Sequence, residues 1–237
     1  MKKLMMAAVA ACAAVAAQAA TTGDYVQSGL VAFWDGWEND GAGGHATELT
    51  EWKDTSGTYS FVFNANSGIT VNGAALVFTG ASGCRATLNT AGTEATFDKA
   101  KDGMLEIVFK PAADRAATCL LLRSSTTSGI AVGHYYSRTS WIISAKGGSP
   151  KPSFTCPEET VTLAIPYSNG VASAPFLNGQ VLPTSGSDSW GGSPTSTALG
   201  SNYYAGDYFK GEISAIRLYS KKLTPGQLAE NRAIDES

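Results

Sequence analysis

The sequence predicts an all-β protein built as a two-sheet antiparallel sandwich with one short C-terminal helix. Charged residues make up only 16% of the 237 residues, and glycine occurs 26 times. This composition favours short strands and tight turns over long amphipathic helices. Short apolar runs follow one another with glycine at most junctions, and no strand–helix–strand alternation is present, which favours stacked sheets. An up-and-down barrel is the alternative architecture.

Ten segments have the apolar content or the alternation expected of strands. The clearest is residues 104–110, where three apolar side chains share one face and the charged Glu106 and Lys110 lie on the other. The predicted strands are residues 30–34, 59–63, 75–78, 104–110, 117–123, 130–135, 140–145, 160–165, 197–200 and 209–219.

Two local signals are specific enough to predict a turn and a helix. Asn178-Gly179 stands between two apolar runs and predicts a type I′ hairpin, because both central residues of that turn need positive φ. Thr224 is suited to cap a helix, Pro225 to occupy its first position, and Gln227 to complete a Thr-x-x-Gln capping box. The only helix that we predict therefore runs from Pro225 to about Arg232.

The N-terminal segment is typical of a bacterial secretory signal peptide. Two lysines at positions 2 and 3 precede an apolar, alanine-rich stretch, and Ala17-Gln18-Ala19 provides a small-x-small cleavage site. We assign residues 1–19 to the signal peptide and residues 20–237 to one sandwich domain. We expect a secreted, periplasmic or cell-surface protein without membrane insertion, since the stretch is short for a membrane span. Residues 9–12 also resemble a lipobox that would place a lipid on Cys12, a less favoured alternative.

The remaining cysteines limit the possible disulfides, and the net charge limits the possible partners. Cys84, Cys119 and Cys156 cannot all pair within one chain. One disulfide with a buried thiol, or three reduced buried cysteines, both remain open. The net charge of −3 and the pI of about 5.4 provide no basic surface for nucleic acid.

Several sequence blocks resemble the signature of laminin-G-like, concanavalin A-like modules. They read SGLVAFWD at 28–35, WKDTSG at 52–57, FLNG at 176–179, LG at 199–200 and FKGEI at 209–213. Their order and spacing carry the resemblance, which touches the start, the late middle and the end of the chain. The middle of the chain has no such motif.

The resemblance implies a jelly-roll sandwich whose first and last strands are neighbours in one sheet. On this arrangement we expect the apolar signature residues to fill the space between the sheets. These core residues are Leu30, Phe33, Ile216 and Leu218. Such residues specify a fold and say little about a ligand.

Catalytic machinery is not recognisable in the sequence. Some laminarinase-type relatives of the resembled family carry Glu-x-Asp-x-(x)-Glu on one strand, where period-two spacing directs two carboxylates to one face. The nearest pattern here, Glu38-Asn39-Asp40, continues into glycine and lacks the third carboxylate. The only histidines, His45 and His134, are not accompanied by a Gly-x-Ser-x-Gly elbow. We therefore expect a protein that is not an enzyme.

Calcium is a candidate ligand, although no other cofactor is predicted. Asp54, Asp40 and Asn39 offer oxygen donors in the N-terminal loops, and Ca²⁺ takes six to eight oxygens. The alternative is that loop carboxylates form Asx turns with following amides. We favour that alternative for Asp35 and leave both open for Asp54.

The five tryptophans divide into buried and loop positions. Trp34 and Trp141 lie in strand patterns and are expected in the core, and Trp52 is expected to be a structural plug. Exposed aromatic rings can serve as flat platforms for the C–H faces of sugars. The candidate platform residues are Trp190, Tyr203, Tyr204 and Trp37. A loop tryptophan can also fold back onto the sandwich rim.

These observations favour a non-catalytic recognition module that binds carbohydrate, on a polysaccharide or a cell-surface glycan. The first alternative is a structural or adhesive domain that binds a cell-surface or secreted protein. The second is a glycoside hydrolase with an unusual acid pair that includes Glu38.

Overall fold

The computed structural model describes residues 21–89, 101–116, 119–124, 130–134, 140–145, 153–169, 171–183, 188–189, 196–201 and 208–237. The predicted signal peptide and the lipobox cysteine lie outside the described residues. Within the described part of the chain, no helix is long and apolar enough to cross a membrane.

The described residues form eighteen strands, one 3-10 turn and one α-helix. The elements are the turn Thr22–Asp24, β1 Leu30–Asp35, β2 Glu51–Lys53, β3 Ser60–Phe63, β4 Ile69–Asn72, β5 Ala75–Thr79, β6 Ala86–Leu88, β7 Gly103–Pro111, β8 Cys119–Ser124, β9 Ile130–His134, β10 Ser140–Ala145, β11 Ser153–Thr155, β12 Val161–Ser168, β13 Val171–Ala172, β14 Phe176–Leu177, β15 Gln180–Val181, β16 Asp188–Ser189, β17 Thr197–Leu199, β18 Lys210–Tyr219 and α1 Pro225–Asp235.

The strands form two separate antiparallel sheets, which confirms the predicted all-β sandwich with one C-terminal helix. Sheet A has the order β15-β14-β12-β7-β18-β5-β4, with β1 also beside β18 and with β13 and β16 continuing from β12. Sheet B has the order β11-β10-β9-β8-β17-β6-β3-β2. The chain passes repeatedly between the two sheets, so the barrel alternative is wrong.

The longest strand, β18, organises sheet A. It pairs with β7 along one side, while its first half pairs with β5 and its second half with β1 on the other side. The β1 register runs from Leu30 opposite Tyr219 to Asp35 opposite Ala215. The expectation that the first and last strands are neighbours is therefore confirmed. A register shift between Ile213 and Ala215 marks a bulge at Ser214.

The main core lies between the two sheets and is rich in aromatic rings. The side chains of Trp34, Trp52 and Trp141 are at most 1% exposed, as predicted. The Trp34 and Phe61 ring centroids are 5.0 Å apart, and those of Phe109 and Trp141 are 5.2 Å apart. Trp52 Nε1 donates a hydrogen bond to the Asp35 carbonyl oxygen at 2.8 Å. This tryptophan therefore binds the end of β1 from the core.

A second buried layer covers the outer face of sheet A. Helix α1 contributes Leu228 to a cluster that contains Met104 and Tyr219 of the sheet. Phe33 packs instead against Val108 and Ala215, beneath Tyr25.

The expectation that Phe33 and Leu30 fill the space between the sheets is wrong. Both alternate to the outer face of sheet A, where Leu30 contacts the two outer clusters. The helix and the N-terminal segment supply an apolar cover there, so both faces of β1 are buried and a simple inside–outside assignment fails. Ile216 and Leu218 do lie in the main core, as expected.

The local signals for turns and caps are confirmed. Asn178 and Gly179 have φ of 49° and 76°, as the type I′ hairpin requires. In the capping box, Thr224 Oγ1 accepts from Gln227 N at 3.3 Å and Gln227 Oε1 accepts from Thr224 N at 3.0 Å. Helix α1 extends to Asp235 rather than to about Arg232, because its last turn contributes Asp235 to a buried ion pair.

Two of the three cysteines of the predicted domain are free and buried, namely Cys84 and Cys156. Burial raises the pKa of the Cys156 thiol to about 12, so this thiol stays protonated at neutral pH. The Cys119 side chain lies outside the described part of the structure. For Cys84 and Cys156, the alternative of reduced buried thiols is the one observed.

Gly200, which follows β17, provides a test of the packing between the sheets. It has φ of 79°, and a Cβ there would lie 2.5 Å from the Phe78 ring and 2.9 Å from the Cys84 carbonyl oxygen. We expect Gly200→Ala to lower the free energy of unfolding by about 2–4 kcal/mol, through backbone strain and overpacking. The control is Gly73→Ala, since Gly73 has φ of 57° and open space around it. Equal losses in urea unfolding of the two variants would contradict this packing.

Candidate functional site

A cavity of about 220 Å³ lies on the outer face of sheet A, where the chain leaves β1. The end of β1, the β4–β5 hairpin, the bulge of β18 and the end of α1 enclose it. We call it the Trp37 pocket and define it by Tyr25, Asp35, Trp37, Ala74, Ser214, Ala215, Ile234, Asp235 and Ser237. It combines aromatic rings with carboxylates, a pairing that suits a polar ligand with apolar faces.

The loop that carries Trp37 is closed around a buried asparagine. Asn39 Nδ2 donates to the carbonyl oxygens of Gly36 and Ala46, each at 3.0 Å, and Asn39 Oδ1 accepts from Ala46 N at 2.8 Å. Asp40 Oδ1 accepts from the amides of Ala42 and Gly44 at 2.7 and 2.9 Å. These bonds satisfy the loop internally, so its backbone is fixed without a sheet partner.

Trp37 is held in place by His45. The two rings are stacked with centroids 4.3 Å apart and planes 13° apart. His45 Nδ1 lies 3.0 Å from the Trp37 carbonyl oxygen, and because that oxygen only accepts, Nδ1 carries the proton and donates. Trp37 is still 44% exposed. Since His45 covers one ring face, the opposite face and the ring edge provide the open area.

The carboxylate of Asp35 joins this loop to the sheet. Asp35 Oδ1 accepts from Trp37 N at 2.9 Å, which is the Asx turn predicted for this residue. Burial raises the pKa of Asp35; the bond from Trp37 opposes this shift, and the nearby Glu38 adds to it. A pocket carboxyl with a raised pKa can exchange hydrogen bonds with ligand hydroxyl groups in either protonation state.

The predicted calcium donors serve internal hydrogen bonds. Asp54 is buried; its Oδ2 accepts from Ser56 Oγ at 2.7 Å, and its Oδ1 accepts from Tyr59 N at 2.7 Å. The polar atoms of Asp40 and Asn39 are engaged within their own loop. The described residues contain no group of three or more His, Cys, Asp or Glu side chains that could hold a metal. The calcium prediction gains no support from these contacts.

A buried ionic cluster lies beneath the pocket and attaches helix α1 to sheet A. Arg217 is fully buried and pairs with Glu106, at 3.2 Å, and with Asp235. Asn231 Nδ2 donates to Glu106 Oε2 and to the Tyr219 hydroxyl oxygen, each at 2.9 Å. Two carboxylates therefore face one guanidinium group.

Burial decides the protonation of this cluster. It raises the pKa of Glu106, and it raises the pKa of Asp235 to about 6, although the Arg217 charge opposes both shifts. The guanidinium also lies 4.4 Å from the centroid of the Tyr25 ring, a cation–π contact that positions Tyr25 at the pocket wall.

One of the four predicted platform residues lies in the described part of the chain. Trp37 lies in the pocket, whereas Trp190, Tyr203 and Tyr204 lie outside the described residues. Sequence reasoning missed Tyr25, Ser214 and Asp235, which reach the pocket from opposite ends of the chain. Their only signal was the expected pairing of the first and last strands, which brings those ends together.

Comparison with known proteins shows the fold. No family model matches the sequence, and no curated protein matches it. A Trypanosoma rangeli sialidase in complex with sialic acid matches with TM-score 0.63 and 14% identity, over 85% of this chain and 32% of that chain. The chain thus spans about a third of that sialidase.

A second match covers nearly the whole of its counterpart. Domain 4 of AbnA, a GH43 extracellular arabinanase from Geobacillus stearothermophilus, is seen with arabinotriose; it matches with TM-score 0.57 and 21% identity, over 85% of this chain and 97% of that chain. The receptor-binding domain of botulinum neurotoxin D matches with TM-score 0.59 and 12% identity, over 88% of this chain and 52% of that chain. At these identities the likeness is one of fold.

Asp235 gives the cluster a testable pH dependence. Its pKa is raised from 3.8 to about 6, so between these values the folded protein holds a proton that the unfolded chain has lost. The stability from this group is fully present below about pH 4 and is lost as the pH rises through about 6. We expect Asp235→Asn to flatten the pH dependence of the free energy of unfolding between about pH 4 and 7, by about 2–3 kcal/mol.

The measurement is urea unfolding at several pH values within that range. Glu230→Gln, an exposed change on the same helix, serves as the control and should keep the slope of the original protein. A slope for Asp235→Asn equal to that of the control would contradict the assignment.

Proposed function

We propose that this protein is a secreted, non-catalytic recognition module that binds carbohydrate in the Trp37 pocket. The observation that carries the proposal is the half-exposed indole ring of Trp37, held rigidly against His45 beside two carboxylates. A platform that is already ordered costs little conformational entropy when a ligand binds.

The chemistry of the pocket suits a sugar ring. The C–H face of a pyranose or furanose packs on the open face of Trp37, and Tyr25 provides a second aromatic ring in the pocket lining. The carboxylate of Asp35 and the hydroxyl of Ser214 offer hydrogen-bond partners for sugar hydroxyl groups. Trp190, Tyr203 and Tyr204 remain candidates for a further platform.

The fold likeness supports a carbohydrate ligand in general terms. Two of the similar structures are seen with a sugar, namely the sialidase with sialic acid and the arabinanase domain with arabinotriose. The laminin-G-like resemblance of the sequence is in keeping with a recognition role, and it stays a resemblance.

The absence of catalysis is part of the proposal. Asp235 is committed to Arg217 and Asp35 to the amide of Trp37, so both pocket carboxylates have structural partners. A hydrolase that uses Glu38 is the competing function. Release of reducing ends from laminarin, agar or carrageenan that is lost in Glu38→Gln would establish it.

Trp37→Ala tests the proposed site directly. We expect glycan affinity to fall at least about tenfold, since the variant removes the stacking surface. Affinity electrophoresis in gels that contain soluble polysaccharides, followed by calorimetry, measures the change. Val62→Ala is the control, because Val62 is a similarly exposed apolar residue, 47% exposed, on sheet B.

Two outcomes would contradict the site or the function. Unchanged retardation of Trp37→Ala with loss in Trp190→Ala would move the site to the second candidate platform. No retardation by any glycan, together with capture of a secreted or cell-surface protein that Trp190→Ala leaves intact, would favour the adhesive alternative.

Export is the final part of the proposal. We expect the intact mass of the protein from the culture medium or periplasm to correspond to residues 20–237, and Cys12→Ala to be exported normally. A mature protein that starts at a lipid-modified Cys12 would show the lipoprotein alternative to be right.

A further inference from the structure

A second cavity, of about 280 Å³, lies on the same outer face of sheet A as the Trp37 pocket. We call it the Lys110 cleft, and its lining includes Val77, Thr79, Lys110, Pro111, Lys210 and Glu212. Lys110 and Thr79 are exposed, whereas Val77 and Glu212 are half-buried. These side chains are accessible to a ligand.

The strand register shows that the two cavities share one face. Glu212 of β18 lies between Val77 of β5 and Lys110 of β7. Because side chains alternate along β7, Lys110 points to the same side as Val108. Val108 packs with Ala215, which lines the Trp37 pocket.

Strand β18 runs beneath both cavities, and the β4–β5 hairpin contributes residues to each of them. Residues 210–212 of β18 line the Lys110 cleft, and residues 214 and 215 line the Trp37 pocket. Ala74, next to β5, lines the pocket, while residues 77–79 line the cleft. Because Ser214 is a bulge, residues 210 to 215 advance by about four regular strand steps, or about 13 Å at about 3.3 Å per residue, which is longer than one sugar ring.

The charges of the cleft are balanced. Lys210 Nζ pairs with Asp114 at 2.6 Å, and Lys110 lies directly across from Glu212. Val77 adds an apolar side chain beside Glu212 on the same face. Donors and acceptors alternate over an apolar surface, an arrangement that fits hydroxyl groups on neutral sugar rings, whereas a polyanion would meet Glu212 and the pocket carboxylates.

We infer that the Trp37 pocket and the Lys110 cleft form one extended groove for several consecutive residues of a neutral, linear polysaccharide. One sugar stacks on Trp37, and the following residues run along β5 and β18 to Lys110 and Glu212. The inference rests on the proposed function. It adds that the protein recognises chain interiors and that affinity depends on chain length.

The experiment is calorimetry of the purified protein with neutral oligosaccharides of two to six residues from the arabinan, xylan, cellulose and laminarin series. Glu212→Gln and Lys110→Ala are compared with the matched exposed changes Glu230→Gln and Lys222→Ala on or beside α1. We expect affinity for the binding series to rise at least about fivefold from disaccharide to hexasaccharide. The cleft variants should lose about fivefold for the hexasaccharide and less than about twofold for the disaccharide.

The outcomes separate the two proposals. Equal affinity for disaccharide and hexasaccharide, or cleft variants that bind the hexasaccharide as the controls do, would overturn the extended groove and leave the Trp37 site standing. If the original protein bound none of these neutral oligosaccharides, the extended groove would be overturned. If it then bound an acidic glycan in a way that Trp37→Ala abolishes, carbohydrate recognition at the Trp37 pocket would still stand. Thermal unfolding verifies that both cleft variants are folded. If either variant is not folded, Lys110→Gln is used as a further cleft variant in its place.

Discussion

The antiparallel pairing of β1 with the second half of β18 brings the two strand ends of the Trp37 pocket together. It sets Asp35 opposite Ala215, so the loop after β1 leaves the sheet beside the bulge of β18. The pairing of β1 with β18 ends where the pairing of β5 with β18 begins. Residues 214 and 215 of β18 lie at this junction between β1 and β5 and line the pocket. A sandwich without this shared strand would separate Trp37 from Ser214 and from helix α1.

The cover over sheet A depends on a costly interaction. Arg217 and Glu106 are both fully buried. The attraction between two buried charges offsets the free energy of their desolvation only when the geometry is good and further hydrogen bonds are made. Asn231 supplies such bonds to Glu106 and to the N-terminal segment, where its Oδ1 accepts from Val26 N at 3.0 Å. Loss of one partner would leave a buried charge uncompensated, so the cluster acts as a unit that holds helix, sheet and N-terminal segment together.

The sequence was informative where the physics is local. Alternation identified β7, a long run of apolar residues identified β18, the Asn178-Gly179 pair identified its hairpin, and the Thr224 capping box identified the start of α1. Strands of two to four residues, such as β4 and β13, carry too few side chains for a period to show. Phe33 was placed on the wrong face, because a cover supplied by distant segments makes both faces of β1 apolar.

The residues of the site likewise divide into those with a local sequence signal and those placed by tertiary contacts. Trp37 was recognisable because an aromatic residue among small polar ones in a loop is an unusual local pattern. Tyr25 and Asp235 could not be recognised, since each has an ordinary local context and acquires its role only through tertiary pairing. The stacking of His45 on Trp37 depends on the loop closure by Asn39, a side-chain contact that no spacing rule predicts.

The bulge in β18 has an evolutionary consequence. Ser214 is the extra residue that lets Ile213 face the core while Ala215 faces outward. A genetic deletion of Ser214 alone would leave both halves of the strand facing as they do, because Ile213 and Ala215 already face opposite sides of the sheet. A one-residue deletion at the bulge is therefore compatible with the packing on both faces of the central strand.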